Sequence, residues 1–150
     1  MRISWIGLVL VIACGGGAGS DWNPVSGAPN LLSAIDVWAF SPSDVWVMTD
    51  SSQISHFDGA RWETVETSDF VGDLAAVWGP APDDPWAAGS AGAIAHYDGN
   101  SWTQVAHQEI GAPYLRLFLA MHGTSSTDIW AVGQQLGVGG STGLIYRYQP

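Results

Sequence analysis

The chain repeats itself at a spacing of forty residues, and this self-similarity limits the folds open to it more than any other feature. Residues 73–105 read DLAAVWGPAPDDPWAAGSAGAIAHYDGNSWTQV, and residues 35–65 read IDVWAFSPSDVWVMTDSSQISHFDGARWETV. Trp38, Trp46, His56, Asp58, Gly59 and Trp62 fall on Trp78, Trp86, His96, Asp98, Gly99 and Trp102 without a gap. A third, imperfect copy sets Met121, His122, Gly123, Asp128 and Trp130 against Val77, Trp78, Gly79, Asp84 and Trp86, with Ile145 and Tyr148 against Ile94 and Tyr97. The repeats span about 31–67, 73–106 and 117–149.

Within each copy Val, Ile and Trp come in short runs punctuated by Gly, Pro, Ser and Asp-Gly, which signals short strands rather than helices. The second copy divides into strand A at Leu74–Trp78, B at Pro85–Gly89, C at Ala93–Tyr97 and D at Ser101–Val105. Pro42 and Pro82 lie midway between paired tryptophans, so an A–B hairpin sets Trp38 opposite Trp46 and Trp78 opposite Trp86. Asp58-Gly59 and Asp98-Gly99 are expected to supply the positive backbone dihedrals of a tight C–D turn. Strands A and B are apolar at both parities, as in Val37-Trp38-Ala39-Phe40, so both sheet faces are expected to be covered. Sheets sandwiched between like sheets, at about forty residues each, are the blades of a β-propeller. The fold class expected is therefore all-β, with about three four-stranded antiparallel blades.

The ends extend the pattern. Ser20-Asp21-Trp22-Asn23-Pro24-Val25 reads like Asn100-Ser101-Trp102-Thr103-Gln104-Val105, so residues 21–25 form a lone D strand in this reading. The third copy stops after strand C at Ile145–Tyr148. Propellers typically carry about four to eight blades, so three copies imply a dimer completing a six-bladed ring, a compact unit of three sheets, or part of a longer propeller.

Met1–Cys14 reads as a processing signal. Arg2 makes a positive start, Ile3–Ala13 an apolar stretch too short to span a bilayer, and Val11-Ile12-Ala13-Cys14 resembles a bacterial lipobox. Cys14 is the single cysteine, which suits a lipidated thiol better than a disulfide or a nucleophile. Gly15–Ser20 would then be a flexible tether. Attached acyl chains, at about 0.8 kcal/mol per buried methylene, would hold the protein on a membrane without a spanning helix. The expected place is the bacterial cell envelope, with the outer membrane implied by resemblance because Gly15, not Asp, follows the cysteine. Beyond Cys14 three arginines and no lysine face fourteen acidic residues. That balance argues against nucleic acid and anionic lipid as partners, since phosphate binding needs clustered cations.

The pattern VWG…DxWAxG…IxHYDGxxW resembles the repeats of β-propeller lipoproteins on bacterial surfaces, related in style to Kelch and sialidase-type repeats, over Asp21 to Gln149. The resemblance implies a surface-exposed binding or scaffolding protein and carries over no catalytic residues. The third copy departs at His122, where the others have Trp, and at Arg147, where they have His. Asp58-Gly59-Ala60-Arg61-Trp62 matches the sialidase Asp box only in part.

Irregular loops on a rigid scaffold concentrate function. Between strands B and C the third copy runs Gly133-QQLGVGGST-Gly143, seven residues longer than Gly89–Gly92, and residues 106–116 form a long D–A connection at the same rim. Tyr114, Arg116, His122, Gln134 and Gln135 are therefore the candidate binding residues. His56 and His96 lack the three or four clustered ligands a zinc site needs and are expected to pack or hydrogen-bond, so no metal or cofactor is expected. Asp44, Asp84 and Asp128 before strand B are expected to form turns through side-chain to backbone bonds. Asp83 and Asp84 point to opposite faces, which is poor geometry for paired acid–base work, and no nucleophile or phosphate loop is apparent. The expected function is a non-catalytic, membrane-anchored interaction module for a protein or glycan. The alternatives are a glycan-binding or glycan-active protein of sialidase style and a structural envelope subunit.

Overall fold

A computed structural model describes residues 22–29, 33–49, 53–106 and 115–150. The described chain is all β-strand and connecting loop, in three antiparallel sheets that follow the three copies. Sheet one holds β1 (Ala34–Ser41), β2 (Asp44–Thr49), β3 (Gln53–Phe57) and β4 (Trp62–Glu66) in sequence order. Sheet two repeats this with β5 (Leu74–Trp78), β6 (Trp86–Gly89), β7 (Ile94–Tyr97) and β8 (Trp102–Ala106). Sheet three has three strands, β9 (Leu115–Ser125), β10 (Asp128–Gly137) and β11 (Gly140–Arg147), with β10 in the middle and β11 along one edge.

The hairpin register follows the tryptophans. Trp38 stands opposite Trp46, and Trp78 opposite Trp86, about the turns that contain Pro42 and Pro82. The C–D turns close differently from the expectation. Gly59 and Gly99 alone take positive φ, 91° and 87°, while Asp58 and Asp98 act through their carboxylates. Asp58 Oδ1 accepts the backbone N–H groups of Ala60 and Arg61, each at 2.8 Å, and Asp98 Oδ1 those of Asn100 and Ser101 at 3.0 and 2.8 Å. Those bonds hold both carboxyl groups below the usual value of 3.8. The β6–β7 turn instead places two residues at positive φ, Ala91 at 54° and Gly92 at 68°, as a type I′ hairpin requires.

Period-two alternation decides which residues each sheet presents to its neighbours. Trp46, Met48 and Ile54 of sheet one pack on Val77, Ala87, Ala95 and Trp102 of sheet two. The opposite face of sheet two, with Ala76, Trp78, Trp86 and Ala88, packs on Phe118, Met121, Ile129 and Ala131 of sheet three. Large side chains buried this way contribute about 1.5–3 kcal/mol each, which is what holds the sheets in a row.

Two expectations fail. Among the described residues only sheet two is covered on both faces; Val37 of sheet one is 58% exposed, and Ile145 of sheet three 73%. Residues 22–25 carry no strand, and Trp22 is fully exposed. A strand forms only when paired along an edge, and residues 22–25 pair with none of the described strands.

Candidate functional site

One arrangement recurs in all three sheets where strand B lies beside strand C. Asp84 Oδ1 is 2.6 Å from His96 Nε2 and accepts the indole N–H of Trp86 at 2.9 Å. His96 lies against the Trp86 ring, with centroids 4.3 Å apart. In sheet one His56 Nε2 is 2.9 Å from Asp44 Oδ1 and stacks on Trp46 at 4.0 Å. In sheet three Arg147 Nε donates to Asp128 Oδ1 at 2.8 Å, and its guanidinium lies 5.0 Å from the Trp130 ring centroid. Thr124 and Trp130 also donate to Asp128. The Thr124 and Arg147 bonds hold its carboxyl group below the usual 3.8.

These carboxylates thus bond side chain to side chain rather than forming the turn bonds expected of them. A proton-transfer role would not survive the exchange of His for Arg in the third sheet, whereas a clasp needing only a donor does. The histidines therefore pack and hydrogen-bond, as the sequence suggested. Among the described residues no group of three or more His, Cys, Asp or Glu is placed to hold a metal ion.

The rim candidates separate. Arg116 and Gln135 face each other across β9 and β10, with Arg116 Nε donating to Gln135 Oε1 at 3.4 Å. The Arg116 guanidinium lies 5.7 Å from the Tyr146 ring centroid. Gln134 pairs with Leu117 on one side and Gly143 on the other. The long B–C insertion is therefore no irregular loop: β10 and β11 continue through it as a ladder, turning at Val138-Gly139. A shallow polar hollow of about 210 Å³ sits at that tip, beside Gln135, Ser141 and Thr142.

His122 belongs elsewhere. It pairs with Trp130, about 20 Å along β9 from Arg116 at roughly 3.3 Å per residue. There it meets Trp38 and Trp78, whose rings lie 6.3 and 5.7 Å away, and those two lie 6.2 Å from each other. The equivalent strand-A residues of the three sheets thus converge at one point. Tyr114 and Cys14 lie outside the described residues.

A cavity of about 580 Å³ lies between sheets two and three, and its walls include Trp86, Ile94, Met121, Ile129, Tyr146 and Tyr148. Sequence reasoning missed it. The available signal was the third copy's retention of strand C without the strand-D tryptophan that fills the same place in the second.

Comparison with protein-family models and with curated proteins finds no match. Among solved structures the chain is similar to YCF48 bound to D1 peptide, at 22% identity and a TM-score of 0.53 over 74% of this chain. The chain spans about a third of that protein's length, the match covering 35% of it. YCF48 is a β-propeller protein, and the likeness supports a propeller-like fold for the three stacked sheets.

Proposed function

We propose that this protein is a non-catalytic interaction module, displayed on a bacterial envelope by a lipid anchor at Cys14, that engages an extended polypeptide with the projecting end of sheet three. The observation that carries the reading is the length of that sheet. β9 and β10 have eleven and ten residues, against eight and six in β1 and β2 and five and four in β5 and β6, so the hairpin end extends beyond the equivalent strands of the other sheets.

The end is chemically suited to a peptide. Arg116 and Gln135 supply donors and acceptors beside the Tyr146 ring, with Gln134 on the other face of the same strand, and Arg116 carries a buried guanidinium nitrogen with no hydrogen-bond partner among the described residues. A backbone carbonyl or a carboxylate would complete that guanidinium. The peptide bound by YCF48 is in keeping with this class of ligand. The clasp of Asp with His or Arg leaves the sheet interiors structural and the surface to do the binding.

A photo-crosslinking residue at Leu115, which is exposed, pairs with Leu136 and lies outside residues 134–142, tests the reading in the producing bacterium. Discrete adducts that disappear when residues 134–142 are replaced by a short Ser-Ala linker are expected. Adducts unchanged by that replacement, or none at all, would contradict it. Metabolic labelling with a fatty acid that is lost in Cys14→Ser is the matching test of the anchor.

A further inference from the structure

We infer that two copies of this chain join head to tail, sheet three of one copy stacking on sheet one of the other and taking residues 22–25 of that second copy as its fourth strand. The inference stands independently of the binding reading above.

The cavity between sheets two and three marks the missing strand. In the joint between sheets one and two, Trp46 meets Tyr97 at 5.0 Å and the strand-D residue Trp102 at 5.5 Å. In the next joint Trp86 meets Tyr148 at 5.0 Å, where Tyr148 stands for Tyr97. No residue of sheet three stands for Trp102, and the 580 Å³ cavity opens there, against Trp86 and beside the open edge of β11. Trp22, which matches Trp102 in sequence, is meanwhile fully exposed. Since Trp102 pairs with Tyr97, Trp22 on the β11 edge would pair with Tyr148 and turn its indole into the cavity. Pro24 suits the outermost strand, where an N–H facing solvent is not needed.

Chain connectivity says that the strand comes from a second copy. Seven residues separate strand D of sheet one, ending at Glu66, from strand A of sheet two, beginning at Leu74. Eight separate Val25 from Ala34, so the Trp22 segment belongs to whatever sheet stacks on the outer face of sheet one. Sheet three of the same chain packs on the far side of sheet two, away from that face.

The two uncovered faces are complementary by the same repeat. Trp46, Met48 and Ile54 of sheet one bury Val77, Ala87 and Ala95 of sheet two. Their equivalents in sheet three are Trp130, Val132 and Ile145, exposed by 42, 41 and 73%, and the equivalent of Val77 in sheet one is Val37, exposed by 58%. Stacking sheet three of one copy on sheet one of the other recreates the joint already present twice in each chain. Trp130 then meets the Phe57–Trp62 pair, as Trp46 meets Tyr97 and Trp102. Two such joints close a ring of six sheets, within the range propellers occupy.

Mixing of variants tests this because a head-to-tail joint uses different faces of the two partners. The full chain in detergent is expected to scatter light as two chains once the micelle mass is subtracted. Val37→Glu, which spoils the face of sheet one, and Ile145→Glu, which spoils that of sheet three, should each fall to one chain, as should Trp22→Ala. An equimolar mixture of the two Glu variants should return to two chains, because one of its two joints is then intact on both sides. That recovery also shows that each variant is folded. A single-chain mass for the unaltered protein, or a mixture that stays single-chain, would overturn the inference; so would Val37→Glu and Ile145→Glu both remaining two-chain.

Discussion

His96 Nε2 lies 2.6 Å from Asp84 Oδ1, and the same oxygen accepts the indole N–H of Trp86. One carboxylate thus ties strands B and C together and fixes the ring on which the histidine lies. In sheet one the carboxylate of Asp44 takes His56, but the indole nitrogen of Trp46 has no partner among the described residues. Asp84→Ala is therefore expected to cost about 1–3 kcal/mol, as for a group leaving two donors unpaired. Asp44→Ala should cost less. Urea unfolding of the two variants side by side checks the order, and an equal loss would contradict the shared-oxygen account.

Acid should loosen the turns. Asp58, Asp98 and Asp128 all have folded-state carboxyl groups held below the ordinary 3.8, the first two by backbone N–H bonds and the third by Thr124 and Arg147. A depressed folded value means stability that is fully present above 3.8 and drains away as pH falls from there towards the folded value. The Asp58→Asn, Asp98→Asn double variant keeps the amide acceptors but not the charge. Its thermal midpoint should fall less between pH 5 and pH 3 than that of the unaltered protein.

Ala91 carries a left-handed backbone at φ 54°, which an L-residue with a Cβ pays for at about 1–2 kcal/mol. Asn tolerates that region and forms the favoured first half of a type I′ Asn-Gly turn with Gly92. Ala91→Asn is expected to stabilise the chain by about 1 kcal/mol in chemical denaturation. No gain, or a loss, would place the turn in another conformation.

Trp46 and Trp130 occupy equivalent positions with opposite surroundings, one 2% and the other 42% exposed. Trp46→Ala should cost about 3–5 kcal/mol at every protein concentration, because its contacts lie within one chain. The loss in Trp130→Ala should appear mainly as a lower midpoint at high concentration, where the paired state forms. Unfolding curves over a hundredfold range of concentration separate the two behaviours.

Much of the scaffold could be read from residues that repeat. Trp38 and Trp46, or Trp78 and Trp86, flank a central proline, and that symmetry gives the hairpin register directly. Features that depend on contacts between copies could not be read so. The Gly-rich run after Gly133 has the composition of a loop, yet it continues as strand because Leu115–Leu117 of β9 lie alongside and pair with it. His122 looked like a rim residue until the third sheet turned it onto Trp38 and Trp78. The strand-B carboxylates resembled turn formers because their partners, His56, His96 and Arg147, come from strand C, twelve to nineteen positions away. Trp22 matched a strand in sequence, but a strand exists only beside an edge.

Amide hydrogen exchange on the intact chain tests the completed third sheet most directly. β11 and β4 are both outer strands within a single chain, so β4 serves as the internal reference. If a second copy adds its Trp22 strand, the amides of Gly140–Arg147 should exchange markedly more slowly than those of Trp62–Glu66, and those of residues 23 and 25 should be protected as well. Exchange of β11 as fast as that of β4, with residues 23 and 25 unprotected, would contradict the account.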